Sequence, residues 1–240
     1  MKIRTHIALI ATMIFMQIPL SAQLSSVKEV LDKVTQFYKG EDSYRIEMTF
    51  SMMRGITGNT ITESYKGTME KNGSYGRNLF LETEIHRFPN AQLAIDTKNR
   101  VVTLSDLGPE QNSPAEVASL LDYYTKSQLI DGGSGEWVCE LVSEGNGFSQ
   151  LPYGKIEVYV DKENFSVAKQ VLYFSNLVPF ADGESGSTVQ DYGRLVIEME
   201  HELNADIAIR RLKDFIAEKA DQDRKLIGQY MNFQLIDKTK

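Results

Sequence analysis

Beyond its first twenty or so residues the sequence has no long apolar run, and it is poor in the residues that carry most enzyme chemistry. One cysteine and three histidines occur among 240 residues. A lone Cys139 permits no internal disulfide, so stability must come from a packed core, which 42% hydrophobic and 10% aromatic content supplies. Outside the N-terminal segment only His86 and His201 remain, in neither zinc nor metalloprotease spacing, which argues against a metal site. The run Gly132-Gly133-Ser134-Gly135 lacks the Lys and Ser/Thr that a phosphate loop needs, and no cofactor is implied. Positive charge is scarce as well. Without Lys2 and Arg4 of the N-terminal segment, 24 basic residues face 33 acidic ones, a net charge of −9, which disfavours nucleic acid as a partner.

What is present begins with Lys2 and Arg4 before an apolar run, Ile7 to Leu20, closing on Ser21-Ala22-Gln23. This is the pattern of a secretory signal peptide over residues 1–22, too short for a spanning helix and followed by no cysteine that would take a lipid anchor. An uncleaved anchor is the rival reading. Cleavage would leave residues 23–240 as a single exported, periplasmic domain with no later transmembrane segment.

Along that domain, Ser26 and Glu29 form a capping box ahead of a stripe of Val27, Val30, Leu31, Val34, Phe37 and Tyr38, with Gly40 as the stop. The period then switches to two: Tyr44, Ile46, Met48, Phe50 and Met52 share one face of a strand. Further strands are predicted over 60–70, 77–85, 92–96, 100–104, 137–142, 155–161, 168–174, 194–203 and 229–236, separated by turn signals such as Asn72-Gly73. A second helix is predicted from Pro114, capped by Ser113 and Glu116, with Val117, Leu120, Leu121 and Tyr124 on its apolar side, and Gly132-Gly133-Ser134-Gly135 reads as a flexible hinge into the next strands. Residues 175–193 read as a long loop that either covers something apolar or is plain surface. Ile209, Leu212 and Ile216 predict a third helix over 205–219. The fold class is α+β, dominated by antiparallel sheet.

Cys139 sits in an apolar strand and reads as core filler rather than a nucleophile. Glu198, Glu200 and Glu202 alternate as a solvent-facing strand does, although paired carboxylates would also suit a hydrolase. Met48, Met52, Met69 and Met199 supply pliant apolar surface, which serves either an ordinary core or a cavity for acyl chains; periodicity alone favours the core.

The order of elements, with Gly67-Thr68-Met69-Glu70, Leu93-Ala94-Ile95-Asp96, Val101-Val102-Thr103-Leu104, Asn112-Ser113-Pro114-Ala115 and Lys155-Ile156-Glu157-Val158-Tyr159-Val160-Asp161, resembles the periplasmic outer-membrane lipoprotein carrier family of the LolA/LolB-like fold. Over Glu70 to Tyr75 the chain departs from that family's Arg-Pro-Gly and Phe-Arg-Trp pattern. The resemblance implies a strongly curved antiparallel sheet forming a half-open barrel covered by helices, and a non-enzymatic carrier that shelters lipoprotein acyl chains or another lipid. It assigns the lid to the helix from Pro114 to Lys126, hinged at Gly132 and Gly133, and the lining to Tyr44, Ile46, Met48, Phe50, Leu120 and Leu121. The alternative is a non-catalytic scaffold of the same fold that meets an envelope protein through exposed strand edges or its acidic face.

Overall fold

The capping box forms as read. Ser26 Oγ accepts the Glu29 N–H and the Glu29 carboxylate accepts the Ser26 N–H, each at 3.2 Å, and helix α1 (Val27–Gly40) runs from there. The computed structural model describes residues 26–108, 114–133, 135–143, 151–181, 187–218 and 224–239. The N-terminal segment 1–22, Ser113 and the side chain of Glu116 lie outside them. Val27, Val30, Leu31, Val34 and Tyr38 of α1 are buried. At its other end, Lys71 Nζ donates to the carbonyls of Tyr38 (3.0 Å) and Glu41 (2.7 Å), a charge-assisted closure of the last turn.

Sixteen strands follow in the described residues: β1 (Ser43–Arg54), β2 (Ile61–Asn72), β3 (Tyr75–Phe80), β4 (Thr83–Arg87), β5 (Ala91–Asp96), β6 (Val101–Asp106), β7 (Lys126–Asp131), β8 (Glu136–Val142), β9 (Tyr153–Asp161), β10 (Val167–Phe174), β11 (Val178–Ala181), β12 (Thr188–Asp191), β13 (Gly193–Leu203), β14 (Ile216–Glu218), β15 (Arg224–Leu226) and β16 (Gln234–Asp237). Twelve build one large curved sheet in the order β16-β6-β5-β4-β3-β2-β1-β13-β10-β9-β8-β7. It is mostly antiparallel, β16 alone joining β6 in parallel, and it does not close: β7 and β16 are its two edges.

Register shows that the two halves of this sheet bury opposite faces. Ile46 pairs with Met69, and both join the α1 core with Cys139, Leu141, Val158, Val160 and Ile197; this side is called the helix face. Continuing across β2 and β3, Met69 pairs with Asn78 and Asn78 with Ile85, so Tyr75, His86, Leu93, Ile95, Val102 and Leu104 point the other way. There they form a second core with Ala205, Ile207, Phe215, Ile216, Leu226 and Tyr230. The chain after β13 is therefore a strap that crosses behind the sheet before β16 adds to its edge.

That strap corrects the helix predicted over 205–219. Residues 205–211 have no regular structure, a short 3-10 turn spans Leu212–Asp214, and β14 follows. Ile209, counted into the apolar stripe, is 58% exposed, whereas Ala205, Ile207, Phe215 and Ile216 are buried. Tertiary burial of those four overrides a weak helical period. The helix from Pro114 is a 3-10 helix, Pro114–Asp122, and stops short of Lys126, which opens β7. Gly132 and Gly133 lie in the turn of the β7–β8 hairpin, where Gly132 N–H donates to the Glu136 carbonyl at 3.1 Å and Glu136 N–H to the Gly133 carbonyl at 2.9 Å.

The predicted loop 175–193 contains the β11–β12 hairpin, whose Phe180 is buried over Gly193; a Cβ there would stand 2.7 Å from the ring tip. The single strand predicted over 77–85 is two, joined at Leu81-Glu82, where Leu81 takes φ +50° without the glycine or asparagine that would announce a turn. The last strand is shorter than 229–236, a 3-10 turn occupying Gly228–Tyr230.

Candidate ligand-binding face

Period-two alternation places Tyr44, Ile46, Met48 and Phe50 of β1 on the helix face, and Leu120 and Leu121 of the Pro114 3-10 helix pack against the same core. The six residues named from the sequence meet there in two environments. Tyr44 and Ile46 are fully interlocked beneath α1, with the Tyr38 ring edge-on to Tyr44 at 5.6 Å. Met48, Phe50, Leu120 and Leu121 are half-buried at the margin.

From Phe50 an apolar strip continues along the helix face. Phe50 stacks on Tyr65 (5.4 Å) and meets Phe80 edge-on (4.8 Å), while Tyr65 and Phe80 meet at 5.2 Å. Beyond them Ile85, Ala94 and Ile236 share the face, linked by register through Thr83 and Thr103. Phe80 is 37% exposed and Ile236 38%, so the strip is uncovered where the second core's cover lies on the other side. Gly67 makes the cluster possible: a Cβ on it would come within 3.1 Å of the Phe50 ring and 3.0 Å of the Leu79 carbonyl. Sequence reasoning missed Tyr65, Phe80 and Ile85. Their signal was a glycine inside a strand, paired with aromatic neighbours at period two.

Burial pushes the Cys139 thiol up to about 12, so the group stays protonated and packs as a hydrophobe. Among the described residues no cluster of three or more His, Cys, Asp or Glu is placed to hold a metal. Glu198 and Glu200 face away from α1 and line a groove of about 560 Å³ with Glu47, Thr49, Lys66 and Lys169. Glu47 stands directly opposite Glu200 and accepts from the Thr68 hydroxyl at 3.1 Å.

On that same face a ladder of alternating charges spans five strands. Arg45 bridges Glu202 (2.8 Å) and Glu70 (2.9 Å), Arg77 bridges Glu70 (3.3 Å) and Glu84 (2.6 Å), and Glu84 ends 3.0 Å from the buried His86 Nε2. His86 Nε2 makes no hydrogen bond there, so that last contact is a close approach only; its Nδ1 bonds the Tyr75 hydroxyl at 2.9 Å. With His86 and Arg77 beside it, Glu84 is held at about 2 against an ordinary 4.5. A depressed carboxylate stabilises the fold above its unfolded value and loses that contribution as pH falls through the folded one. We expect the wild type to lose about 2 kcal/mol between pH 4.5 and 2 from this group, solvent screening of the half-exposed cluster keeping the figure below the full linkage value. Glu84→Gln should lose correspondingly less, read from urea midpoints across that window.

No family model matches the chain, and no curated protein does. Among solved structures it is similar to an uncharacterized conserved protein from Thermus thermophilus, with 12% identity and a TM-score of 0.45 over 88% of this chain and 98% of that one. It is also similar to a LolA superfamily protein from Nitrosomonas europaea, at 14% identity and a TM-score of 0.33 over 77% and 96% of the two chains. A putative outer membrane lipoprotein-sorting protein domain from Vibrio parahaemolyticus shares 11% identity with a TM-score of 0.29, over 74% and 93%.

Proposed function

We propose that the mature chain, residues 23–240, is an exported periplasmic carrier or binding protein that shelters lipoprotein acyl chains or another lipid against the helix face. The observation that carries this reading is the Phe50–Tyr65–Phe80 cluster, half-exposed yet continuous with the α1 core and flanked by Met48. Each acyl CH₂ removed from water there contributes roughly 0.8 kcal/mol, so a chain of ordinary length gains enough to compete with a membrane. In this reading α1 and the Pro114–Asp122 turn are the cover, Met48, Phe50, Leu120 and Leu121 the rim, and Tyr44 and Ile46 the floor. The element order and local motifs that resemble the lipoprotein carrier family support the same conclusion.

The test is saturable binding of an acylated peptide, with native mass spectrometry for lipid carried through purification. Phe80→Asp, at a partly exposed position, should bind at least tenfold more weakly while still unfolding cooperatively well above the assay temperature, about 1.4 kcal/mol corresponding to tenfold. Absence of bound lipid together with no saturable binding, or equal binding by the variant, overturns the proposal. The scaffold reading is favoured by one feature, the exposed outer edge of β7, which offers a strand-pairing site. A stoichiometric envelope partner lost on introducing proline into β7 would select it instead.

A further inference from the structure

We propose that Tyr38 and His201 form an acid-released latch that fastens the last turn of α1 to the sheet. The Tyr38 hydroxyl is buried and accepts the Val167 backbone N–H at 3.0 Å. Among the described residues its own proton has His201 Nε2, at 2.7 Å, as acceptor. Three groups are satisfied at once only if the imidazole is neutral and carries its proton on Nδ1. Protonation puts a hydrogen on Nε2, and the Tyr38 O–H, enclosed on all sides, loses its acceptor.

Among the described residues no ion pair reaches His201, and in the turn before Val167 the Asp161 carboxylate is taken by the N–H groups of Glu163 and Asn164. From α1 the facing group is Tyr38 itself, from β1 Tyr44, and from β2 Lys71, whose ammonium lies 5.7 Å from the Tyr44 ring and has the same sign as the charged imidazole. Arg45, Glu47, Glu200 and Glu202 occupy the alternate positions of β1 and β13 and point to the opposite face. Glu41 and Asp42, between α1 and β1, make no ion pair with His201 among the described residues. Burial holds this histidine below its ordinary range, so the latch is intact above about pH 6.5 and opens as the pH falls below it.

The experiment is amide hydrogen exchange on the full chain at about pH 7.5 and 5.5, corrected for intrinsic rates. At the lower pH, opening at Val167 and at residues 37–40 should rise about tenfold, with Leu93 and Val102 in the other core unchanged. In His201→Gln, whose side-chain oxygen still accepts but does not titrate, protection should be the same at both values. No rise in the wild type, or an equal rise in the variant, overturns the latch. Should the variant fail to fold, nitrogen NMR of the wild-type ring decides: a bare Nε2 at pH 7.5 is expected, and a proton on Nε2 refutes the proposal.

Discussion

Phe215→Ala should cost about 3–5 kcal/mol, a large part of the total stability of an ordinary domain. Phe215 is fully buried at the centre of the strap's core, with ring centroids 4.6 Å from His86, 6.0 Å from Phe88 and 5.9 Å from Tyr230. Truncation leaves a void walled by rings that cannot collapse into it, because Tyr75 holds His86 and the β4–β5 turn holds Phe88 through its N–H bond to the Ala91 carbonyl. Urea unfolding measures the loss. Limited proteolysis should place early cleavage within residues 205–211, the stretch without regular structure that Phe215 pins down. Phe50→Ala, truncating a half-exposed ring, should cost markedly less.

Glu70→Ala is expected to be the second most damaging change, at about 2–3 kcal/mol. The carboxylate is about one-tenth exposed and stands between Arg45 and Arg77, which are each about one-third exposed. Removing it takes the central anion from between guanidiniums on β1 and β3, each then held by one outer carboxylate alone, Glu202 for Arg45 and Glu84 for Arg77. Partial solvation of both arginines keeps the figure below that of a fully buried pair. A double-mutant cycle with Arg45→Ala should return a favourable coupling, and denaturation at high salt should shrink it.

Local chemistry made α1 and the sheet legible. Ser26 and Glu29 announce the helix because a capping box satisfies two orphan N–H groups within four residues, and β1 reads from alternation that no distant element has to enforce. The strap was misread because Ile209, Leu212 and Ile216 mimic a helical stripe, and only the far-off strands β5 and β6 decide that Ile207 and Phe215 are buried instead. Leu81 hid a turn by adopting a conformation its type seldom takes. Of the candidate face, the residues of β1 were readable because their neighbours in sequence share the face. Tyr65 and Phe80 were not, since what brings them beside Phe50 is register between three strands.

The sheet changes its buried side between β2 and β3, and the link there, Gly73-Ser74, is only two residues long, with Gly73 at φ +58°. Those two positions set the parity of everything downstream. Deleting one, or inserting a third, would turn Leu93, Ile95, Val102 and Leu104 toward the aromatic strip and leave Phe215 pressing on Ala94 and Thr103, so a two-residue connection decides which way half of the molecule is dressed.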